Sequence, residues 1–171
     1  MYNPYSLEGK TILISGAASG IGKATCIECA KLGSLVVAVD LNADGLLIVM
    51  SKLEGEGHLS FSGNLTEEEF LKELADLVPC LDGVFLCAGV SDTTPVKFIT
   101  ENKIKRVFDV NFVSPVLMLK HFLINKKINK GASLVWMSSY GAEKVEPGLG
   151  IYAASKSAVN GIMRVFAKEL V

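Results

Sequence analysis

Surplus charge of either sign is what this sequence most plainly lacks: seventeen Lys and Arg stand against eighteen Asp and Glu, a formal net charge of -1. Without a basic face there is no electrostatic footprint for a nucleic acid and no polybasic patch for an anionic membrane. Repeats, low-complexity tracts and Pro/Gly-rich linkers are missing too, so the 171 residues are expected to form one domain, 1–171. The opening MYNPYSLEGK has no basic stretch followed by an apolar one, and the later apolar runs look too short to span a bilayer. A cytoplasmic protein with no membrane partner is expected. Cysteine is sparse. Cys26, Cys29, Cys80 and Cys87 all fall in or beside apolar segments, where free thiols pack as small buried hydrophobes, and no disulfide framework is expected. Cys26 and Cys29 make a C-x-x-C without a second pair, and only His58 and His121 could add imidazoles, so no closed zinc site and no metal is expected.

Half of the residues are hydrophobic, and they are arranged as short apolar runs alternating with longer amphipathic stretches, the pattern of strand-helix repeats. Strands are predicted at Thr11–Ser15, Leu35–Asp40, His58–Ser62, Gly83–Cys87 and Ser133–Ser138. The near-continuous hydrophobicity of LVVAV, GVFLC and SLVWM suits strands covered on both faces. Helices are predicted at Ala24–Leu32, Ala43–Leu53 behind Asn42, and Glu67–Leu77, with Thr66 as N-cap and Glu69 three residues on. A long helical stretch from about Thr100 to Ile128 contains Pro115, which should kink or break it. The last helix runs from about Ile151 to Val171, where the chain reaches its last residue without a capping glycine or a following strand. The expected class is α/β: a Rossmann-like, doubly wound parallel sheet of order 3-2-1-4-5 with helices on both faces, its C-terminal part missing.

Directly after the first predicted strand comes Ser15-Gly16-Ala17-Ala18-Ser19-Gly20-Ile21-Gly22, leading into a helix. Glycines there let the backbone turn sharply and approach a pyrophosphate, which free amides and the positive helix end would hold. The second strand ends in Asp40, eighteen residues beyond Gly22, where a carboxylate can accept from both adenosine ribose hydroxyls and would repel a 2′-phosphate. No arginine or lysine stands at Ser19 or Leu41, so NAD(H) is favoured over NADP(H). Farther on, Ser139 precedes Tyr152 by thirteen residues and Lys156 follows it by four. On a helix that spacing puts ammonium and phenol on one face, where the positive charge favours loss of the phenolic proton.

Together SGAASGIG, CAG at 87–89, Asn111, MSS at 137–139 and YAASK at 152–156 resemble, in order and spacing, the pattern of the short-chain dehydrogenase/reductase family. The resemblance runs from Leu7 onward, and its G-x-x-x-G-x-G spacing is similar to that of the carbonyl-reductase and 3-oxoacyl carrier-protein reductase branch. It implies a catalytic tetrad of Asn111, Ser139, Tyr152 and Lys156, with Tyr152 exchanging the proton, Ser139 holding the substrate oxygen, Lys156 binding the nicotinamide ribose and Asn111 supporting a water. It also implies cofactor contacts at Gly16, Ser19, Gly20, Ile21, Gly22, Asp40, Leu41, Asn64, Leu65, Ala88, Gly89, Tyr152 and Lys156. Cys87 stands where the family has asparagine, which removes a tie between central strands. Asn64 stands for the usual aspartate, its side-chain oxygen left to accept from the adenine amino group. The implied activity is hydride transfer between NAD(H) and a small carbonyl or alcohol substrate, in a homo-oligomer paired through two helices bearing Val116, Leu119, Ala158, Ile162 and Phe166. A non-catalytic NAD(H) sensor or interaction module would need the glycines and Asp40 but not Tyr152.

Overall fold

In the computed structural model, which describes residues 3–170, five strands form one parallel sheet: β1 (Thr11–Ser15), β2 (Leu35–Asp40), β3 (Leu59–Ser62), β4 (Leu81–Leu86) and β5 (Ile128–Trp136). Their order is β3-β2-β1-β4-β5, as expected. Alternate residues of the central strands feed opposite layers. Ile14, Val36 and Ala38 meet Cys26, Ala30, Leu46 and Val49 of α1 (Gly20–Lys31) and α2 (Ala43–Met50). On the other face Leu13, Val37 and Val39 share a core with α3 (Glu68–Leu77), α5 (Ser114–Ile124) and α6 (Gly150–Glu169), among them Leu74, Phe122 and Val159. Burial on both faces is why these strands read as unbroken apolar runs.

Element ends differ from expectation for local reasons. α1 starts four residues before Ala24, at Gly20, whose φ of +52° carries the chain from the glycine loop into the helix. α2 stops at Met50 rather than Leu53. The cap of α3 is Glu67 rather than Thr66, whose hydroxyl donates instead to Asn64 Oδ1 at 2.9 Å. β3 starts at Leu59; the His58 ring leaves the strand to accept the Val36 amide at 3.0 Å. β4 gives up Cys87, whose amide turns to Ser15 Oγ at 3.1 Å. β5 extends back to Ile128 through an irregularity in its pairing with β4, and it ends at Trp136. The extension of α6 to Val171 lies outside the described residues.

The long helical stretch is three pieces: α4 (Glu101–Phe108), a π-helical turn (Asp109–Val113) and α5. Pro115 sits in the first turn of α5. It has no amide to give the carbonyl of Asn111, four residues back, and the widened turn accommodates that loss. Taken together, Glu101–Ile124 is long and apolar enough to cross a membrane by length and composition alone, contrary to the sequence reading. Here it is a layer of the domain, with Val107, Met118, Leu119 and Phe122 in the interior. Leu119, expected on an oligomer surface, is wholly buried, and Val116, Ile162 and Phe166 pack half-buried against the same core. Cys80 is exposed rather than buried. Cys26 is the packing residue it was expected to be, and burial pushes its thiol up to about 12.

Candidate active site

β1, β2 and β4 end at one edge of the sheet, where strand order reverses beside β1, and a cleft of about 570 Å³ opens there. Gly16, Ser19, Gly20, Ile21, Gly22, Asp40, Leu41, Asn64, Leu65, Ala88 and Gly89 all line it. Sequence reasoning missed Gly63, Thr66, Cys87, Val90, Val110 and Met137. The glycine loop admits no side chain at its two tightest points. A Cβ at Gly22 would sit 2.1 Å from the Gly16 carbonyl oxygen; one at Gly16, where φ is +70°, would sit 2.8 Å from Ala88 Cα.

Asp40 holds the loop from the side. Its Oδ2 accepts the Ala18 amide and its Oδ1 the Asn42 amide, both at 2.9 Å, which leaves each oxygen with acceptor capacity to spare. Asn64 departs from its expected role. Its Oδ1 accepts both the amide and the hydroxyl of Thr66, at 3.1 and 2.9 Å, and its Nδ2 donates to Glu67 at 3.1 Å. With both lone pairs spent inside the turn, that oxygen is not free for an adenine amino group. The tie that Cys87 cannot make is supplied from β1, where Ser15 Oγ accepts the amides of Cys87 and Ala88 at 3.1 and 3.2 Å.

Next to the Gly89 wall of the cleft, the four residues expected to form a tetrad lie close together, brought there from three parts of the chain. Lys156 Nζ and Asn111 Oδ1 lie 3.5 and 3.3 Å from the point where a Gly89 side chain would begin. Lys156 Nζ is 5.9 Å from the Tyr152 ring centroid and donates to the Met137 carbonyl at 2.7 Å. Ser139 Oγ and Tyr152 Cε1 lie 3.4 and 3.9 Å from the position a Gly141 Cβ would occupy. Ser139 Oγ accepts the Gly141 amide at 3.1 Å, so its own proton remains available. Asn111, in the π turn, donates from Nδ2 to Val90 O at 2.9 Å and to Ser155 Oγ at 3.0 Å, while its Oδ1 accepts the Val90 amide at 2.8 Å. Ser155, which lies inside YAASK but was given no role, passes the connection on by donating to Tyr152 O at 2.7 Å.

This arrangement coincides with a family-wide match, since the short chain dehydrogenase profile fits residues 10–171. The chain belongs to the short chain dehydrogenase family. It is 32% identical, over 96% of its length and 69% of the relative's, to the 3-oxoacyl-[acyl-carrier-protein] reductase of Thermotoga maritima. To the L-xylulose reductase of Caenorhabditis elegans it is 31% identical, over 97% of this chain and 68% of that one. A short chain dehydrogenase from Escherichia coli CFT073 complexed with NADPH superimposes with a TM-score of 0.89 at 29% identity, over 98% of this chain and 74% of that one. The short chain dehydrogenases are NAD(P)-using oxidoreductases, and membership makes this chain a dehydrogenase/reductase acting on CH–OH or C=O groups.

The site's buried lysine is costly to the fold. Lys156 is only 3% exposed, with no carboxylate hydrogen-bonded to its ammonium, and burial pulls its pKa below the ordinary lysine value. Folding therefore favours the neutral amine. At neutral pH, where both states carry the proton, the buried charge costs stability; as pH rises through the lowered folded value toward the unfolded one, the native state sheds its proton first and stability increases. Lys156→Met is expected to raise cofactor-free stability at pH 7 by about 1 kcal/mol, or roughly 2–4 °C in Tm. The advantage should shrink at alkaline pH. Thermal melts of both proteins across pH check it, and a variant less stable at pH 7 would show that the lysine is a net structural asset.

Proposed function

We propose that this chain carries the cofactor-binding and catalytic part of an NAD(H)-dependent oxidoreductase that interconverts a ketone or 3-oxoacyl group and the corresponding alcohol. The observation that carries this reading is a cleft lined by a side-chain-free glycine loop, Asp40 and Gly89, with Lys156 and Asn111 directly behind Gly89 and Tyr152 and Ser139 gathered beside Lys156 and Gly141. The cradle that a Cβ would fill at Gly16 and Gly22 fits a pyrophosphate. Bound there, the nicotinamide would supply the hydride donor or acceptor.

The protein's own work is binding, orientation and proton handling. Amides of the Gly16–Gly22 loop and the start of α1 would hold the pyrophosphate, and Asp40 would accept from the ribose hydroxyls. Ile21, Leu41, Leu65, Ala88 and Gly89, which line the same cleft, would complete the cofactor's walls. Ser139 donates its hydroxyl proton to the substrate oxygen. Tyr152 gives a proton to that oxygen in reduction and takes one from it in oxidation. Lys156 spends one hydrogen on Met137, which leaves two that would serve the other ribose. Asn111, with both Nδ2 hydrogens spent, supports its water through the carbonyl that Pro115 cannot serve. The working assembly is a homo-oligomer, dimer or tetramer, paired through the α4–α5 and α6 layer, where Ile104, Val113 and Ile124 stay exposed.

The Escherichia coli neighbour is described with NADPH, so the scaffold alone does not set cofactor choice. In this chain Asp40 sets it, because its spare acceptor capacity suits hydroxyls and its charge opposes a 2′-phosphate. NADH is expected to bind at least about tenfold more tightly than NADPH, roughly 1.4 kcal/mol, and Asp40→Ala to narrow the gap. Titration of each cofactor, read by the fluorescence of Trp136, the sole tryptophan, tests this; equal or tighter NADPH binding would falsify it. The same protein assayed with ketones and acyl thioesters tests the reaction, and NADH binding without turnover on any of them would favour a sensor or interaction module instead.

A further inference from the structure

The loop leaving β4 is anchored at three points, the first by Asn111 and the other two by groups outside the tetrad. Val90 is clamped through both its amide and its carbonyl by Asn111. Two residues on, the side chain of Asp92 is only 9% exposed; its Oδ2 accepts Arg106 Nη2 at 2.9 Å and its Oδ1 accepts the Thr94 hydroxyl. Thr94, itself buried, accepts Lys103 Nζ at 2.8 Å. Lys103 and Arg106 are three residues apart on α4, so one helix face presents both cations to the loop. The Thr94 amide then donates to Gly148 O at 2.8 Å. Gly148 has φ +85°, and a Cβ on it would lie 3.2 Å from Thr93 Cγ2, so the two loops meet closely at a backbone position that L side chains rarely adopt. Gly150 opens α6, and Tyr152 stands in its first turn.

We propose that Asp92, held by Arg106, is a positioning residue for the reaction: it fixes the strap of residues 90–94 that joins the cofactor wall to the segment leading into Tyr152. The proposal rests on the catalytic reading of the site. Hydrogen bonding from Thr94, with Arg106 and Lys103 beside it, holds the Asp92 carboxyl below the usual carboxylate range, so the strap is charged and closed throughout the neutral range. Neither Asp92 nor Arg106 lines the cleft. Their loss should therefore leave cofactor binding intact while loosening the distance between the Gly89–Val90 wall and the phenol, on which proton delivery depends.

The test compares Asp92→Asn, Arg106→Ala and Arg106→Lys with the unsubstituted full chain. Turnover, KM for a carbonyl substrate, NADH affinity, thermal melting and amide exchange of Thr94 are measured on each. Asp92→Asn and Arg106→Ala are expected to lower kcat about tenfold or more, with NADH affinity within about twofold, and to speed Thr94 exchange, while Arg106→Lys retains most of the turnover. A loss of turnover matched by equal losses of NADH affinity and thermal stability overturns the proposal, as does faster Thr94 exchange with unchanged turnover. Thr94 exchange reads the strap without any activity. Absence of turnover in the unsubstituted protein therefore overturns the catalytic reading instead.

Discussion

Tyr152→Phe is expected to lower kcat/KM by about 10³-fold, since a positioned general acid or base contributes roughly 10²–10⁴-fold and among the described residues no other hydroxyl combines its placement with a neighbouring ammonium. Ser139 Oγ shares the neighbourhood but has no such ammonium. The substitution removes one oxygen and keeps the half-buried ring against which Lys156 sits, 5.9 Å from the centroid. Cofactor affinity should therefore stay within about twofold, a difference of roughly 0.4 kcal/mol. This split between binding and turnover marks a group that acts on the reacting atoms. Near-normal turnover in the phenylalanine variant would remove Tyr152 from the chemistry and with it the proposed direction of proton flow.

Gly22→Ala should do the opposite and destroy binding first. Its Cβ would lie 2.1 Å from the Gly16 oxygen and 2.8 Å from the Gly16 carbonyl carbon, and neither is the far end of a flexible side chain. The loop cannot retreat, because Gly16 already lies so close to Ala88 that its own Cβ would fall 2.8 Å from Ala88 Cα. Either α1 or the loop must shift, and the amides aimed into the cleft shift with it. NADH affinity is expected to fall by about 100-fold, or roughly 2.7 kcal/mol, and stability by about 1–3 kcal/mol. Gly161→Ala is the matched control. It lies inside α6 with nothing within 4 Å of the added Cβ, so the same methyl group should stabilise the helix by roughly 0.5–1 kcal/mol. Calorimetric titration with NADH and urea melts of both variants read the contrast, and an unimpaired Gly22→Ala would mean that the loop is far more compliant than its contacts imply.

Much of this was legible without coordinates, and the boundary is physical. Strand and helix order, the parallel sheet, the glycine loop, Asp40 and the Tyr152–Lys156 pair are set by local rules: apolar period, turn residues, and a four-residue step along a helix. What sequence could not determine depends on which distant groups meet. Asn64 was expected to face adenine, yet Thr66 takes both its lone pairs. Cys87 was expected to leave a gap, yet Ser15 reaches across from β1 to fill the role. Leu119 looked like surface and is core, because helical spacing shows that a face is apolar but not what it packs against. Asn111 was placed in a long helix, but only the fold sets it in a π turn and joins it to Val90 and Ser155. The Asp92–Arg106 pair gave no local signal at all. Such contacts close loops of many residues, and their geometry is decided by the packing of whole layers. A linear pattern can therefore nominate the residues of this site, but only the assembled sheet and helices decide which of their hydrogen bonds are already spent.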